Sequence, residues 1–175
     1  MSEIKLIFTG PPGAGKTTAI GAISEIPPVS TDVDATDELL SSKDHTTAAM
    51  DFGEVTLDDG TKLRLYGTPG QRRFAHMWQI LVQGGLGLII LLDNSRPAPL
   101  DDLEIYLDNF ADFIERTGVV IAVTRADHPD GPPIEDFQDY LEQRGLVYPV
   151  LTADIRRETD VLMLLNVLLS NLEFA

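Results

Sequence analysis

A glycine-rich octapeptide near the start of the chain limits the possible folds more than any other feature. Residues 10–17 read GPPGAGKT and follow a short apolar run at residues 4–8. They satisfy the pattern G-x-x-x-x-G-K-[ST], and residues 17–26 continue with the apolar spacing of a helix. Glycines let the backbone curl so that successive N–H groups and the helix N-terminus face a phosphate. The sequence therefore predicts a strand, a phosphate-binding loop and a helix in direct succession.

Two side chains of this loop carry its chemistry. Lys16 is expected to reach the β and γ oxygens of a nucleotide, and Thr17 offers its hydroxyl to Mg²⁺. The alternative is a Gly/Pro-rich turn with an incidental lysine, against which the flanking strand and helix argue. The residues that we assign to nucleotide binding here are Gly13, Ala14, Gly15, Lys16, Thr17 and Thr18.

Apolar runs of strand length alternate with helical patterns along the rest of the chain, which is typical of a mostly parallel sheet with helices on both faces. Further strands are predicted at 48–57, 62–67, 86–92, 119–123 and 147–151. Further helices are predicted at 74–82, 100–115, 134–143 and 160–172. The turn sequence DDGT at 58–61 joins its two neighbouring strands as an antiparallel hairpin. Apolar alternation changes phase around Gly53, which suggests a bulge there.

These patterns predict one α/β domain over residues 1–175. The domain would have three layers, with helices on both faces of a mostly parallel six-stranded sheet that has one antiparallel edge strand. The 43% of hydrophobic residues suffice to form its core. Residues 27–46 show no sustained period and are predicted to form a long loop, which in a compact domain is usually functional.

Composition excludes several other classes of protein. The net charge of −15 disfavours nonspecific binding to nucleic acid or to an anionic membrane. Because the chain has no cysteine, disulfide scaffolds, thiol catalysis and prenyl or palmitoyl anchors are excluded. No apolar stretch approaches the about 18 residues of a membrane span, and no signal-peptide pattern is present. We therefore expect a cytoplasmic protein without a lipid anchor or a membrane span.

The order of elements and several short motifs resemble the Ras-like small GTPases across nearly the whole chain. The nearest likeness is to the bacterial branch that includes the mutual-gliding GTPase. This resemblance implies a P-loop NTPase fold that binds GTP or GDP with Mg²⁺ and hydrolyses GTP slowly to GDP and phosphate. It also implies two loops, at about 29–47 and 68–78, that change their order when the γ-phosphate leaves.

The segment TTAAMDF at 46–52 resembles the family's first switch loop. There a threonine coordinates Mg²⁺ and senses the γ-phosphate, and counting back from Asp51 favours Thr47 over Thr46. The alternative interpretation is a pair of threonines at a strand edge.

The segment GTPGQ at 67–71 resembles the family's D-x-x-G-Q motif. The resemblance implies that the Gly70 N–H meets the γ-phosphate and that Gln71 orients the attacking water, so Gln71 and Lys16 are the expected catalytic residues. Gly67 stands where the family has the aspartate that holds a Mg²⁺ water, which puts that part of the metal site in doubt. A Pro-Gly turn with a solvated glutamine is the alternative.

The segment TRAD at 124–127 resembles half of the family's base-reading N-K-x-D motif. Asp127 can accept hydrogen bonds from guanine N1–H and N2–H₂, and adenine has no donors at these positions. Arg125 can stack on the base. Thr124 cannot reproduce the asparagine. Ile155 aligns with a further motif of the family, and the resemblance implies that its backbone N–H donates a hydrogen bond to guanine O6. The alternative for Asp127 is a turn or capping residue.

Two expectations concern partners and rival functions. Because the first switch loop contains no arginine, the charge that accelerates hydrolysis would come from an activating protein, and the relatives suggest a Roadblock-type regulator. One rival is an ATP-using ATPase or kinase, in which the apolar run ending at Asp93 would bind metal. Another is a nucleotide-binding scaffold without hydrolysis, motivated by Gly67 and Thr124.

Overall fold

A seven-stranded sheet runs through the computed structural model, which describes residues 3–34 and 47–173. Its strands are β1 (Glu3–Thr9), β2 (Val29–Asp34), β3 (Thr47–Thr56), β4 (Lys62–Gly67), β5 (Gly87–Asp93), β6 (Val119–Thr124) and β7 (Val150–Thr152). The helices are α1 (Lys16–Ile23), α2 (Ala75–Leu81), α3 (Pro99–Asn109), α4 (Ala111–Arg116), α5 (Ile134–Gln143) and α6 (Glu158–Glu173). A 3₁₀ turn at Arg72–Phe74 precedes α2.

The strand order is β2-β3-β4-β1-β5-β6-β7, and all neighbours from β4 to β7 are parallel. Among the described strands, β3 alone runs opposite to all the others, since it pairs antiparallel with both β2 and β4. The predicted class, an α/β fold with a mostly parallel sheet, is confirmed. The carboxyl ends of β1, β4, β5, β6 and β7 therefore meet at one edge of the sheet, where ligands bind in open α/β folds.

The number of strands differs from the predicted six because β2 lies within the segment 27–46 that we predicted to be a loop. Its sequence VSTDVD alternates β-branched with small or acidic residues, and its acidic character hid the strand pattern. In the described part of the chain β2 pairs only with β3, and an edge position of this kind tolerates charged residues. The antiparallel strand β3 is therefore second from the edge. Residues 35–46 of the predicted loop lie outside the described residues.

Hydrophobic side chains pack on both faces of the sheet, as predicted. Helices α1 and α6 cover one face through residues such as Ile20 and Leu164. The other helices cover the opposite face, where Trp78, Phe110 and Phe137 are fully or almost fully buried. The helix predicted at 100–115 is divided into α3 and α4 at Phe110. Among the described residues, no helix combines the length and apolar character that crossing a membrane requires.

The bulge predicted around Gly53 is absent, because β3 pairs with β4 residue by residue from Asp51 opposite Gly67 to Thr56 opposite Lys62. Asp51, Gly53 and Val55 are buried on one face of β3. An added Cβ at Gly53 would lie 2.5 Å from Ile20 Cγ2, so a glycine is required where α1 approaches the strand. The phase change in the sequence arose because this buried face carries a carboxylate and a glycine instead of apolar side chains.

Candidate nucleotide-binding site

The predicted phosphate loop joins β1 to α1 with the expected backbone geometry. Gly15 caps α1 in a left-handed conformation (φ 101°) without a side-chain hydrogen bond. The first-turn N–H groups of α1 therefore have no side-chain cap and suit an anion. Gly10 approaches β5 so closely that an added Cβ would lie 2.3 Å from the Leu91 carbonyl oxygen. Both positions explain why the loop needs glycine.

Lys16 is held against the loop itself. Its ammonium donates hydrogen bonds to the carbonyl oxygens of Gly10 at 2.7 Å and Pro11 at 3.0 Å, and the residue is only 8% exposed. Burial lowers the pKa of Lys16 to about 8, although the nearby Asp51 carboxylate opposes that shift. The two carbonyl oxygens compensate only part of the positive charge of the ammonium. A bound phosphate group would compensate it more fully.

The neighbouring Thr17 is tied to a carboxylate that the motif analysis did not select. Its hydroxyl donates a hydrogen bond of 2.6 Å to Asp51 Oδ2, and Asp51 is 5% exposed. The hairpin is centred on Asp59, and this register sets Asp51 opposite Gly67. The predicted turn at 58–61 would have shifted the pairing by one residue, so the sequence did not point to Asp51. A threonine hydroxyl beside a carboxylate is an all-oxygen donor pair, which is the ligand chemistry that Mg²⁺ prefers.

The turn after β4 lies against the phosphate loop only in part. An added Cβ at Gly70 would lie 2.9 Å from Lys16 Nζ and 2.9 Å from the Pro12 backbone, so Gly70 is next to the loop. Gln71 is exposed at the start of the 3₁₀ turn and lines neither of the two cavities described below. The Trp78 indole, fully buried, donates a hydrogen bond of 2.8 Å to the Pro69 carbonyl oxygen and so connects this turn to the core.

The segment after β6 is connected to the phosphate loop by Arg125. Its guanidinium forms an ion pair of 2.8 Å with Asp93 and donates a hydrogen bond of 3.3 Å to the Gly13 carbonyl oxygen. Arg125 is the only non-glycine residue with positive φ (50°) in the described part of the chain. Non-glycine residues in this conformation carry strain and cluster at functional sites.

The carboxylate of Asp93, at the end of β5, is 6% exposed. Burial by itself would raise the pKa of Asp93, but hydrogen bonds from Ser95 and the Arg125 guanidinium outweigh that effect and lower it. The Ser95 hydroxyl donates to Asp93 Oδ1 at 2.6 Å, while Arg125 occupies Oδ2. Asp93 thus holds the segment at 124–127 in place through Arg125, whereas Asp51 is the carboxylate that contacts Thr17.

Two cavities meet at Arg125, Ile155 and Arg156, which line both of them. A cavity of about 340 Å³ lies beside the phosphate loop and is lined by Gly13, Gly15, Lys16, Thr17 and Thr18 in addition to the shared residues. A second cavity of about 400 Å³ extends beyond Ala14, and Asp127 lines it. Their arrangement places the predicted phosphate-binding and base-binding residues at the two ends of one continuous groove.

Ile155 closes the junction between the cavities. Its Cδ1 would lie 2.1 Å from an added Cβ at Gly15, so the two segments pack directly on each other. The N–H groups of Asp154 and Arg156 donate to the carboxylates of Asp160 and Asp154 respectively. Within the described residues, the Ile155 N–H has no hydrogen-bond partner and remains available to a ligand.

The structure therefore brings together ten of the twelve predicted site residues. The ten are Gly13, Ala14, Gly15, Lys16, Thr17, Thr18, Gly70, Arg125, Asp127 and Ile155. Gln71 lies outside the groove. Thr47 begins β3 and pairs with Asp34, and the position of its side chain lies outside what is described. Pattern matching missed Asp51 and the connection between Asp93 and Arg125.

Comparisons with known proteins agree with a nucleotide site. Residues 31–145, more than half of the chain, match the family described as "conserved hypothetical ATP binding protein". The match begins after the phosphate loop and includes the segments that carry Asp51, Arg125 and Asp127. The chain is also 31% identical over 104 residues to an uncharacterized protein of Methanocaldococcus jannaschii. That alignment spans 59% of this chain and 59% of the relative.

Proposed function

The chain belongs to the family of conserved hypothetical ATP binding proteins, which supports nucleotide binding, and from that premise we propose a guanine-nucleotide switch. It binds GTP and GDP with Mg²⁺ and hydrolyses GTP slowly to GDP and phosphate. The observation that carries this proposal is the groove that joins the phosphate loop to the cavity lined by Asp127 and Ile155.

The choice of guanine follows from the hydrogen-bonding groups in the second cavity. Asp127 offers only acceptors, which match guanine N1–H and N2–H₂, whereas adenine presents an acceptor at N1. The unpartnered Ile155 N–H is a donor, which matches guanine O6 but meets a second donor in the adenine amino group. A donor or acceptor that the bound base covers and leaves without a partner costs about 1–3 kcal/mol, enough for a clear preference.

The phosphate chemistry is assigned to the opposite end of the groove. Lys16 neutralises the β- and γ-phosphates, Thr17 and Thr47 hold Mg²⁺, and the Gly70 N–H meets the γ-phosphate. The bound Mg²⁺ would neutralise the charge that develops on the phosphate oxygens.

Gln71 would orient water only after the turn at 68–71 moves towards the groove, because the residue is now exposed outside it. A Roadblock-type regulator is the partner that the resemblance suggests for supplying an activating group.

The second candidate is an ATP-binding protein, which the printed description of the family favours. The two candidates are separated by calorimetric titration of the nucleotide-free protein with GDP and with ADP, each with and without Mg²⁺. We expect GDP to bind at least about tenfold more tightly than ADP. Equal or tighter binding of ADP would refute the guanine assignment and favour an ATPase or kinase.

A switch and a non-hydrolysing scaffold differ in single-turnover hydrolysis of GTP. We expect slow cleavage by the wild-type protein and still slower cleavage by Gln71→Leu, while both retain GDP affinity because Gln71 does not line the groove. Absence of cleavage in the wild-type protein, even with a cognate regulator, would favour the scaffold.

A further inference from the structure

The structure contains an aspartate directly opposite the position where the D-x-x-G-Q pattern lacks one. Asp51 on β3 is the cross-strand partner of Gly67 on β4. An added Cβ at Gly67 would lie 3.2 Å from Asp51 Cβ and 3.2 Å from its Oδ2. The carboxylate of Asp51 therefore occupies the space into which a side chain at residue 67 would extend.

The hydrogen bond that Thr17 donates to Asp51 fixes the orientation of the threonine hydroxyl. Because Thr17 donates its proton to Asp51 Oδ2 at 2.6 Å, the lone pairs of its oxygen remain available to a cation. Partners of this kind orient a metal ligand, and their removal typically costs about 10- to 100-fold in metal affinity. Asp51 is also close enough to Lys16 to raise the pKa of that ammonium, against the larger lowering effect of burial.

Asp93, the other buried aspartate at this edge, is placed differently. Its oxygens are engaged by Ser95 and by the Arg125 guanidinium, which belong to the base-reading side of the groove. The two carboxylates thus contact different parts of the site. Asp51 faces the phosphate loop, and Asp93 supports the segment at 124–127.

We propose that Asp51 replaces the aspartate missing at Gly67 and, by orienting Thr17, is the positioning residue of the Mg²⁺ site. This inference rests on the proposed function, since the metal would be bound together with the nucleotide phosphates. It assigns the metal-site carboxylate to the antiparallel strand β3 in place of its neighbour β4.

The first test compares the GDP affinity of the full chain in excess Mg²⁺ with that in EDTA, by calorimetry, for three proteins. In the wild-type protein Mg²⁺ should tighten GDP binding. In Asp51→Asn the ratio of the two affinities should fall by about tenfold or more, with the affinity in EDTA unchanged or higher because a negative charge near the phosphates is lost. In Asp93→Asn both affinities should fall by a similar factor, which leaves the ratio as in the wild-type protein.

The second test moves the carboxylate to the neighbouring strand. The double variant Asp51→Ala/Gly67→Asp opens the space that Asp51 fills and places an aspartate on β4. We expect it to recover the Mg²⁺ ratio to within about threefold of the wild-type value, whereas Asp51→Ala alone stays low. Thermal unfolding of each variant without nucleotide identifies any protein that has not folded. If Asp51→Ala does not fold, Asp51→Asn, which keeps the side-chain volume, takes its place as the single variant.

The outcomes separate this inference from the proposed function. A wild-type Mg²⁺ ratio in folded Asp51→Asn would overturn the role of Asp51 while leaving guanine-nucleotide binding intact. Failure of the double variant to recover the ratio would overturn the replacement of residue 67. If the wild-type protein bound neither GDP nor ADP, the proposed function itself would fail and this inference with it.

Discussion

Asp127 is the residue on which the proposed preference for guanine depends. It is exposed within the second cavity, where its carboxylate would accept two hydrogen bonds from the base. Replacing Asp127 by Asn changes one acceptor to a donor with little change in shape. We expect GDP affinity to fall by about 10- to 100-fold, while the affinity for pyrophosphate, which has no base, stays constant.

The matched control for this substitution is Asp130→Asn, an exposed aspartate in the same connection that lines neither cavity. It removes the same charge at a similar position in the chain, so a general electrostatic effect would appear in both variants. Equal losses of GDP affinity in the two variants would return Asp127 to the role of a turn residue.

The lowered pKa of Lys16 predicts that nucleotide binding depends on pH. In the nucleotide-free protein its pKa is about 8, lowered by burial from 10.5. Phosphate groups favour the charged form, so the pKa of Lys16 rises on binding and a proton is taken up whenever the free lysine is neutral. The contribution of Lys16 to affinity should therefore be nearly constant below about pH 7 and decrease as the pH rises through 8. At pH about 8.5, GDP binding should take up about three quarters of a proton.

The proton uptake is measured by calorimetry in EDTA, using two buffers of different ionisation enthalpy. Lys16→Met is the control, because its residual binding should take up no proton in this range. Identical heats in the two buffers for the wild-type protein would show that Lys16 stays charged throughout.

At the scale of elements, the contact between α1 and β3 decides where the site residues lie. Gly53 on β3 packs under α1, with Ser24 Oγ 2.9 Å and Ile20 Cγ2 2.5 Å from an added Cβ. Gly53→Ala should force the helix away from the strand and lower the free energy of unfolding by about 1–3 kcal/mol. Because Asp51 and Thr17 lie on these two elements, the same variant should also weaken the effect of Mg²⁺ on GDP affinity.

Gly21→Ala is the matched control within α1. A Cβ at Gly21 would make only an ordinary contact of 3.5 Å with Pro28, and the residue is exposed on the helix. Alanine in place of glycine inside a helix should raise the free energy of unfolding by about 0.5–1 kcal/mol. Denaturant unfolding of both variants measures the two effects, and a destabilised Gly21→Ala would contradict the described packing of α1.

At the scale of the whole molecule, the described residues form one sheet with a hydrophobic core on each face. The loops that follow β1, β4, β6 and β7 lie at or beside the groove. A ligand in this groove should therefore stabilise all these elements together. At 100 times its dissociation constant, GDP with Mg²⁺ should add about 2.7 kcal/mol, which corresponds to about 5–10 °C in the unfolding temperature. Differential scanning calorimetry measures the shift.

Guanosine, which lacks the phosphates, is the control for this measurement and should leave the unfolding temperature almost unchanged. Two separate transitions, of which GDP moved only one, would contradict the description of a single cooperative sheet.

The sequence by itself determined the features that depend on neighbours along the chain. The phosphate loop between β1 and α1 was predictable because glycine, lysine and threonine act there within one turn of backbone. The mostly parallel sheet was predictable because apolar runs alternate with helical patterns. Of the described strands, β2 alone was missed, since an acidic strand at the edge of the described sheet lacks the apolar signal of a buried strand.

The tertiary structure decided which side chains meet across the sheet. Asp51 and Gly67 are 16 positions apart in the sequence, and the register of β3 against β4 sets them opposite each other. The ion pair between Asp93 and Arg125 depends likewise on the pairing of β5 with β6. A local pattern reports the residues that flank a motif, but strand register and the approach of α1 are set by packing over the whole sheet. For this reason the glycine-rich loop between β1 and α1 could be placed from the sequence, whereas the carboxylate that contacts Thr17 could not.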